Sequence, residues 1–335
     1  MAKYSIILPV RNGGHYVKIC VDSILAQTYT DFNFIVLDNC STDGTLEWLQ
    51  SLNDSRIKVI PTQKSLSIEE NWGRIKAVEK NEFITLIGHD DILYPDFLLV
   101  IDRLVKSNPD ASLYHTHFNF IDADSSTIRT CKPMKRIITG YNFLSLFLTG
   151  TIDLMGTGYV MHSKDYDALN GIPVRYPNLL FADFELWLNL TFISYEVIAP
   201  ENCFAFRVHQ STTGKSPDKK LHEALEIFVD FLSSLKQQNT QVKNIVDQYG
   251  LEFLLFYCKG FSHRLLRTPI QKRESLSVRD FIDFTKKLAL KLGIQNQYKP
   301  EQVKSIRLAE IIDDNKIFRQ LFLLFKNIYS RPISK

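Results

Sequence analysis

Two carboxylates stand side by side in Ile87-Gly88-His89-Asp90-Asp91, at the end of the apolar run Phe83–Ile87. Adjacent acids closing a buried strand are costly unless they are solvated, paired or bound to a cation. One chemistry that uses such a pair is a divalent cation with a diphosphate. Mg²⁺ and Mn²⁺ take one or two carboxylates and leave the rest of their shell to phosphate oxygens. The other use is helix capping, with Asp90 or Asp91 opening the helix that follows Pro95. Asp38 ends a second apolar run and heads Asp38-Asn39-Cys40-Ser41-Thr42-Asp43-Gly44. An acid there accepts from ribose hydroxyls or a base N–H, or it builds a turn. Asp183, in Phe181-Ala182-Asp183-Phe184-Glu185-Leu186-Trp187, sits at the start of a short helix. It is either a carboxylate favoured by the helix dipole or a general base for a hydroxyl. His209 closes the strand ending Arg207-Val208, as a structural residue or as the group completing a cation's shell. Gly156-Thr157-Gly158 precedes another strand, where glycines let backbone approach a ligand.

The elements that must position these residues follow from periodicity. Tyr4–Leu8, Phe32–Leu37, Ile57–Ile60 and Phe83–Ile87 read as strands. Between them, His15–Ala26, the stretch after Ser41-Thr42-Asp43-Gly44, and Ile68–Lys80 read as helices, and another runs from Pro95 to Ser107. This alternation predicts a doubly wound, mostly parallel α/β sheet, which binds ligands at the carboxyl ends of its strands. Residues 113–210 are mixed, with strands at 113–121, 159–162, 197–199 and 203–208 and a helix over 182–192. After a polar loop at 210–218 the pattern is helical, with a basic, proline-containing connection over 264–277.

Composition narrows the class. The chain has 335 residues and is 45% hydrophobic, enough for a real core and for about two domains, or one large α/β unit with an appendage. Five cysteines without a CxxC spacing form neither a disulfide scaffold nor a zinc ribbon, and they fit a reducing, cytoplasmic location. No apolar stretch is long enough to span a bilayer, and the first residues lack the pattern of a signal peptide. Charge is uneven: residues 259–335 hold 17 Lys+Arg against 7 Asp+Glu, whereas the body is net acidic. No GxGxxG follows the first strand, which disfavours a dinucleotide-dependent oxidoreductase.

The motifs gain meaning from their order. Tyr4-Ser-Ile-Ile-Leu-Pro-Val-Arg-Asn12, Asp22-Ser-Ile-Leu-Ala-Gln-Thr-Tyr29, Ile35–Thr45, Asn71-Trp-Gly-Arg74 and Glu82–Asp96 together resemble family-two glycosyltransferases of the GT-A fold, over roughly residues 3–210. The resemblance implies an α/β GT-A domain at 1–213 built on a Rossmann-like, doubly wound mixed sheet, with a nucleotide-sugar half over about 1–110 and an acceptor half over about 111–213. A helical, basic region at 214–335 follows it. It implies an inverting, metal-dependent transferase that uses a nucleotide-diphospho-sugar and Mg²⁺ or Mn²⁺, with a glycan or lipid-linked glycan as acceptor in cell-surface polysaccharide synthesis. Pro9, Val10, Arg11, Asn12, Asp38 and Arg74 would hold the nucleotide, Asp90 the metal, ribose or sugar, Asp91 and His209 the metal, and Asp183 would be the base. Four positions depart from the family's pattern. Arg11 stands where many relatives have tyrosine, Asn39 replaces a second acid, Gly88 replaces the first acid of the metal motif, and Ala182 replaces the acid beside the base.

Two other functions use the same residues. A nucleotide-sugar hydrolase would activate water instead of an acceptor, and a catalytically weak module would bind nucleotide-sugar or glycan without turnover. The basic tail has two readings of its own: a peripheral membrane contact on the cytoplasmic face, or helices packed on the core or on a second copy. Nucleic acid is not expected, because the positive charge lacks a recognisable module.

Overall fold

The computed structural model describes residues 2–208 and 216–329. They form two compact units, one of residues 2–143 and 152–208, the other of 144–151 and 216–329.

In the first unit the central strand, β1 (Tyr4–Val10), is buried along its whole length. A strand with parallel neighbours on both sides has no wet face, hence the unbroken apolar run. After α1 (Gly14–Leu25), β2 (Phe32–Asp38) pairs with β1 in a register running from Tyr4↔Phe32 to Val10↔Asp38. That register sets Asp38 beside the end of β1. α2 (Thr45–Ser51) leads to β3 (Ile57–Val59), which extends the sheet outward from β2. α3 (Ile68–Gly73) starts with a capping box of Ser67 and Glu70. It does not continue to Lys80: at Gly73, a poor helix former, it tightens into a 3₁₀ turn over Arg74–Ala77. β4 (Phe83–Leu86) lies on the other side of β1, also parallel.

Beyond β4 the sheet is not parallel. β5 (Ile92–Leu93), α4 (Phe97–Ser107), β6 (Leu113–Ile121), β7 (Thr127–Thr130), β8 (Ile137–Thr139) and α5 (Gly140–Leu148) precede β9 (Val160–His162). β9 inserts between β4 and β6, antiparallel to both. α6 (Ser163–Ala168) and α7 (Ala182–Ile193) then lead to β10 (Tyr195–Arg207), parallel to β6 and antiparallel to β5 and β8. The sheet is therefore mixed, in the order β3-β2-β1-β4-β9-β6-β10-β5. α4 is tied to β1 through the buried Asp102, which accepts from Lys3 Nζ at 2.9 Å and Tyr4 Oη at 3.0 Å. Its N-cap is Asp96, and β5 separates it from Asp90 and Asp91, so neither of those acids caps it.

The second unit is helical: α8 (Asp218–Gln238), α9 (Thr240–Arg267), α10 (Val278–Leu292), α11 (Lys304–Asp314) and α12 (Lys316–Tyr329). Phe147 explains why 144–151 belong here, since its ring meets those of Phe228 and Phe253 at 5.4 and 5.8 Å. Asn239 caps α9 by accepting from the N–H groups of Gln241 and Val242. The connection expected from Arg264 stays helical to Arg267 and then makes a 3₁₀ turn at Ile270–Lys272. Among the described residues no helix is long and apolar enough to cross a membrane.

Candidate active site

The site begins where β1 and β2 end. Asn12 adopts a left-handed conformation (φ 51°), its N–H donates to Ser41 Oγ at 2.9 Å, and its Oδ1 accepts from Thr42 N at 2.8 Å. Gly13 N donates to Thr45 Oγ1 and Gly14 N to Asp43 Oδ2. The first N–H groups of α1 are therefore occupied by protein oxygens, unlike the phosphate cradle of a dinucleotide fold. Beneath this stitched pair of loops Asp38 is fully buried. Its Oδ2 accepts from Ser41 N at 3.2 Å, while Oδ1 has no hydrogen-bond partner among the described residues. A buried carboxylate oxygen without a donor is expensive, and it marks a place for an incoming N–H or O–H.

The other nucleotide-side candidates surround this pocket differently. Arg11 is exposed. Pro9 and Val10 are buried in β1 opposite Leu37 and Asp38, and Val10 O accepts from Asn39 N at 2.8 Å. Their side chains pack into the sheet and shape the turn. Arg74 donates Nη1 to Asp38 O at 3.0 Å and to Asn71 Oδ1 at 2.9 Å, so it braces the backbone that carries Asp38.

Asp90 and Asp91 converge over Gly88. A β-carbon at Gly88 would lie 2.8 Å from Asp90 Oδ1 and 3.1 Å from Asp91 Oδ2, so the glycine leaves room that an aspartate would fill. Asp91 is 2% exposed. It accepts from Thr157 Oγ1 at 2.7 Å and from Arg207 N at 3.1 Å. Burial, and then the neighbouring charge of Asp90, push its carboxyl well above the usual range. Under the cradle, Cys20 Sγ donates to Gly88 O at 3.4 Å. Burial and the same two acids raise its pKa and keep it a thiol. Arg207 reaches across, with Nε to Asp90 O at 2.8 Å, Nη1 to Asp122 O at 2.7 Å, and its guanidinium 4.6 Å from the Tyr16 ring centre. Its buried Nη2 has no hydrogen-bond partner among the described residues.

Asp183 comes to the same place from α7. The chain enters that helix through three non-glycine residues at positive φ, Asn178, Leu179 and Phe181. Such conformations are strained and persist only when held. Here Glu185 holds them: its buried carboxylate accepts from Tyr176 Oη at 2.6 Å and from Arg175. Glu69 Oε1 accepts from Asn178 N at 2.6 Å. Phe181 is the N-cap residue, so Asp183 lies in the first turn and not at the cap. A β-carbon at Gly156 would lie 3.1 Å from Asp183 Oδ2. Gly156 adjoins Thr157, the partner of Asp91. Trp187 Nε1 donates to Met155 O at 3.0 Å, and Tyr159 stacks between Trp187 (4.5 Å) and His115 (4.0 Å). The segment Met155–Tyr159 thus joins the carboxylate pair to the helix that carries Asp183. Asp183 itself is half-buried. Burial raises its pKa to about 6, against backbone hydrogen bonds from Phe184 and Asp183.

Residues 5–161 match the sequence model of the family described as glycosyl transferase family 2. The chain carries a family 2 glycosyltransferase domain. A glycosyltransferase of Rickettsia typhi, itself uncharacterized, is 26% identical over 76% of this chain and 80% of its own length. The Escherichia coli protein WfgD, named as a UDP-Glc:α-D-GlcNAc-diphosphoundecaprenol β-1,3-glucosyltransferase, is 26% identical over 69% of this chain and 87% of its own. In structure the chain is similar to S. aureus TarS. It superposes on the 1–349 form in complex with UDP-GlcNAc at a TM-score of 0.63 and 14% identity, covering 98% of this chain and 93% of that one. The longer TarS structure gives a TM-score of 0.65, with 92% of this chain and 55% of TarS covered. This likeness establishes the fold, and the mixed sheet followed by helices is that of a GT-A glycosyltransferase.

In the glycosyltransferase domain the structure brings Asp90, Asp91 and Asp183 to one segment, and places Asp38 at the adjoining strand end. His209 lies outside the described residues. Among the described residues no three His, Cys, Asp or Glu side chains gather as a cation site. The carboxylate pair still suits one divalent ion that keeps ligand oxygens in its shell: its oxygens are drawn together over Gly88, and Asp91 is buried with its carboxyl raised in pKa. Thr157 and Arg207 are additions that sequence reasoning missed. Thr157 lay in a motif valued only for its glycines. Arg207 was legible only as the one charged residue ending the run Cys203-Phe-Ala-Phe.

The tight approach of Gly156 gives a direct test. Gly156→Ala pushes the Asp183 carboxylate by a few tenths of an ångström. We expect kcat to fall roughly tenfold, short of the ~10²-fold cost of a 1 Å misplacement. Steady-state kinetics against the wild type measures it.

Proposed function

We propose that the protein is a metal-dependent inverting glycosyltransferase that moves a sugar from a nucleotide-diphospho-sugar to a hydroxyl of a glycan or lipid-linked glycan. The observation carrying this reading is the segment Met155–Tyr159, which sets Asp183 against the carboxylate pair Asp90/Asp91. The name of the E. coli relative supports a lipid-linked acceptor, and the UDP-GlcNAc complex of TarS supports a UDP-sugar donor.

Asp38, through its unpartnered Oδ1, receives an N–H or hydroxyl of the nucleoside. Asp90 and Asp91, with His209, would hold a divalent cation. A divalent ion, when bound, offsets the negative charge that grows on the leaving diphosphate. Arg207 adds a fixed positive charge next to that place. Asp183 accepts the proton of the acceptor hydroxyl as its oxygen bonds to the anomeric carbon. The bond from that carbon to the diphosphate oxygen breaks on the opposite face, and its electron pair leaves with the nucleoside diphosphate. One displacement inverts the anomeric centre.

The test is to incubate the protein with UDP-, GDP-, dTDP- and CDP-sugars, with Mg²⁺ or Mn²⁺, in the presence and absence of glycan and lipid-linked acceptors. We expect nucleoside diphosphate release coupled to an inverted glycoside, abolished by EDTA and restored by added metal. Equal release without acceptor would make the protein a hydrolase. Donor binding with no turnover under any condition would make it a binding module.

A further inference from the structure

We propose that the α11–α12 face of the helical unit docks on an anionic lipid bilayer. A surface helix ordinarily turns its apolar stripe to the core and its charges to water. α12 departs from this: Phe322 and Leu323 are half-buried, but most of its apolar stripe faces water. Its inward residue is Arg319, 6% exposed, which donates Nη2 to Thr268 O at 2.8 Å and lies beside the buried pair Arg273–Asp313. Ile317, Leu321 and Leu324 are 67%, 57% and 58% exposed, and Phe318 is also exposed. These residues share one side of the helix by spacing, opposite Arg319. On α11, Leu308 and Ile311 are exposed as well. Single exposed apolar side chains are ordinary, but a contiguous set marks an interaction surface.

Charge decides the occupant. The acids of this region are engaged internally: Asp313 with Arg273, Glu310 and Asp314 with Arg279, and Asp283 and Glu301 with Lys286. Lys304, Arg307 and Lys316 are exposed and form no ion pair among the described residues. A second copy seated on this face would set like charges against each other. An anionic membrane surface instead attracts each basic residue, and its acyl boundary takes the apolar stripe. The inference is independent of the transfer reaction, because its test reads lipid binding and not turnover.

The experiment is flotation of the full chain with vesicles of phosphatidylcholine alone or mixed with phosphatidylglycerol, at low and high salt. We expect flotation with the anionic vesicles only, weakened as salt screens the charges. Leu321→Ser with Leu324→Ser should weaken partition at least about tenfold without changing the thermal melt, because both side chains are already in water. Lys304→Glu with Arg307→Glu and Lys316→Glu, all at exposed positions, should do the same. No flotation, or flotation unchanged in both variants, overturns the proposal. So does a dimer in sedimentation velocity that the leucine variant dissolves while vesicles capture neither form.

Discussion

Asp183→Asn lowers kcat by a factor on the order of 10²–10⁴ and leaves donor affinity unchanged. Asparagine keeps the size of the side chain and its place in the first turn of α7, but it cannot take a proton. The loss therefore falls on the step in which the acceptor hydroxyl is deprotonated. Donor binding, measured by thermal shift or calorimetry with the nucleotide-sugar, is assigned in the proposed mechanism to Asp38 and the carboxylate pair and should not move. The pH profile is a second readout. In the proposed role Asp183 acts as the ionised base, and burial raises its pKa to about 6. kcat/KM is then level above that pH and falls about tenfold per unit below it. In Asp183→Asn the residual rate loses this acid limb. An Asp183→Asn enzyme with near-normal kcat and an unchanged profile would remove Asp183 from the chemistry.

Asp91→Asn is expected to lower kcat/KM by about 10²–10³ while the protein becomes more resistant to heat. Both hydrogen bonds survive the change. The amide oxygen accepts from Arg207 N, and the Thr157 hydroxyl turns to accept from the amide nitrogen. What is lost is one negative charge in a buried place, and with it much of the grip on a cation. The stability effect follows from linkage. The carboxyl of Asp91 is raised in the folded state, so the fold holds its proton more tightly than the unfolded chain does. Its stabilising contribution is present below the unfolded pKa and is lost as pH rises through the folded one. At neutral pH the group costs stability, whether it keeps its proton or buries a charge, and asparagine removes that cost. A metal-free melt of both proteins, beside metal-dependent kinetics, reads both effects. A lower melting temperature with unchanged kcat/KM would show Asp91 to be a packing residue only.

Much of the fold was legible. The runs Tyr4–Leu8, Phe32–Leu37 and Phe83–Ile87 announce buried strands, because a strand covered on both faces by packed helices has no side that must be polar. The direction of pairing was not legible. Periodicity reports which side chains are buried and says nothing of the neighbour's orientation, so the antiparallel insertion of β9 went unread. β10 was read as two pieces because Pro200-Glu201-Asn202 interrupts the apolar pattern; the strand continues through them with register shifts. β7 is wholly exposed, so it has no burial pattern to read. The acids were visible because carboxylates after strands or at a helix start stand out against apolar surroundings. Gly88 read as a lost acid, and the structure shows it as the floor of the carboxylate cradle. Thr157 and Arg207 matter through contacts far apart in the chain, which spacing cannot report.

The link running from Met155 to Tyr159 constrains anyone who would redesign the enzyme. It is anchored at Met155, Thr157 and Gly158 to the indole of Trp187, the carboxylate of Asp91 and the carbonyl of Leu86, respectively. A graft that imports α7 from a relative to change what is glycosylated would also import side chains shaped for a different link. Exchange should therefore succeed only when the helix, the link and the strand after it are transplanted as one cassette.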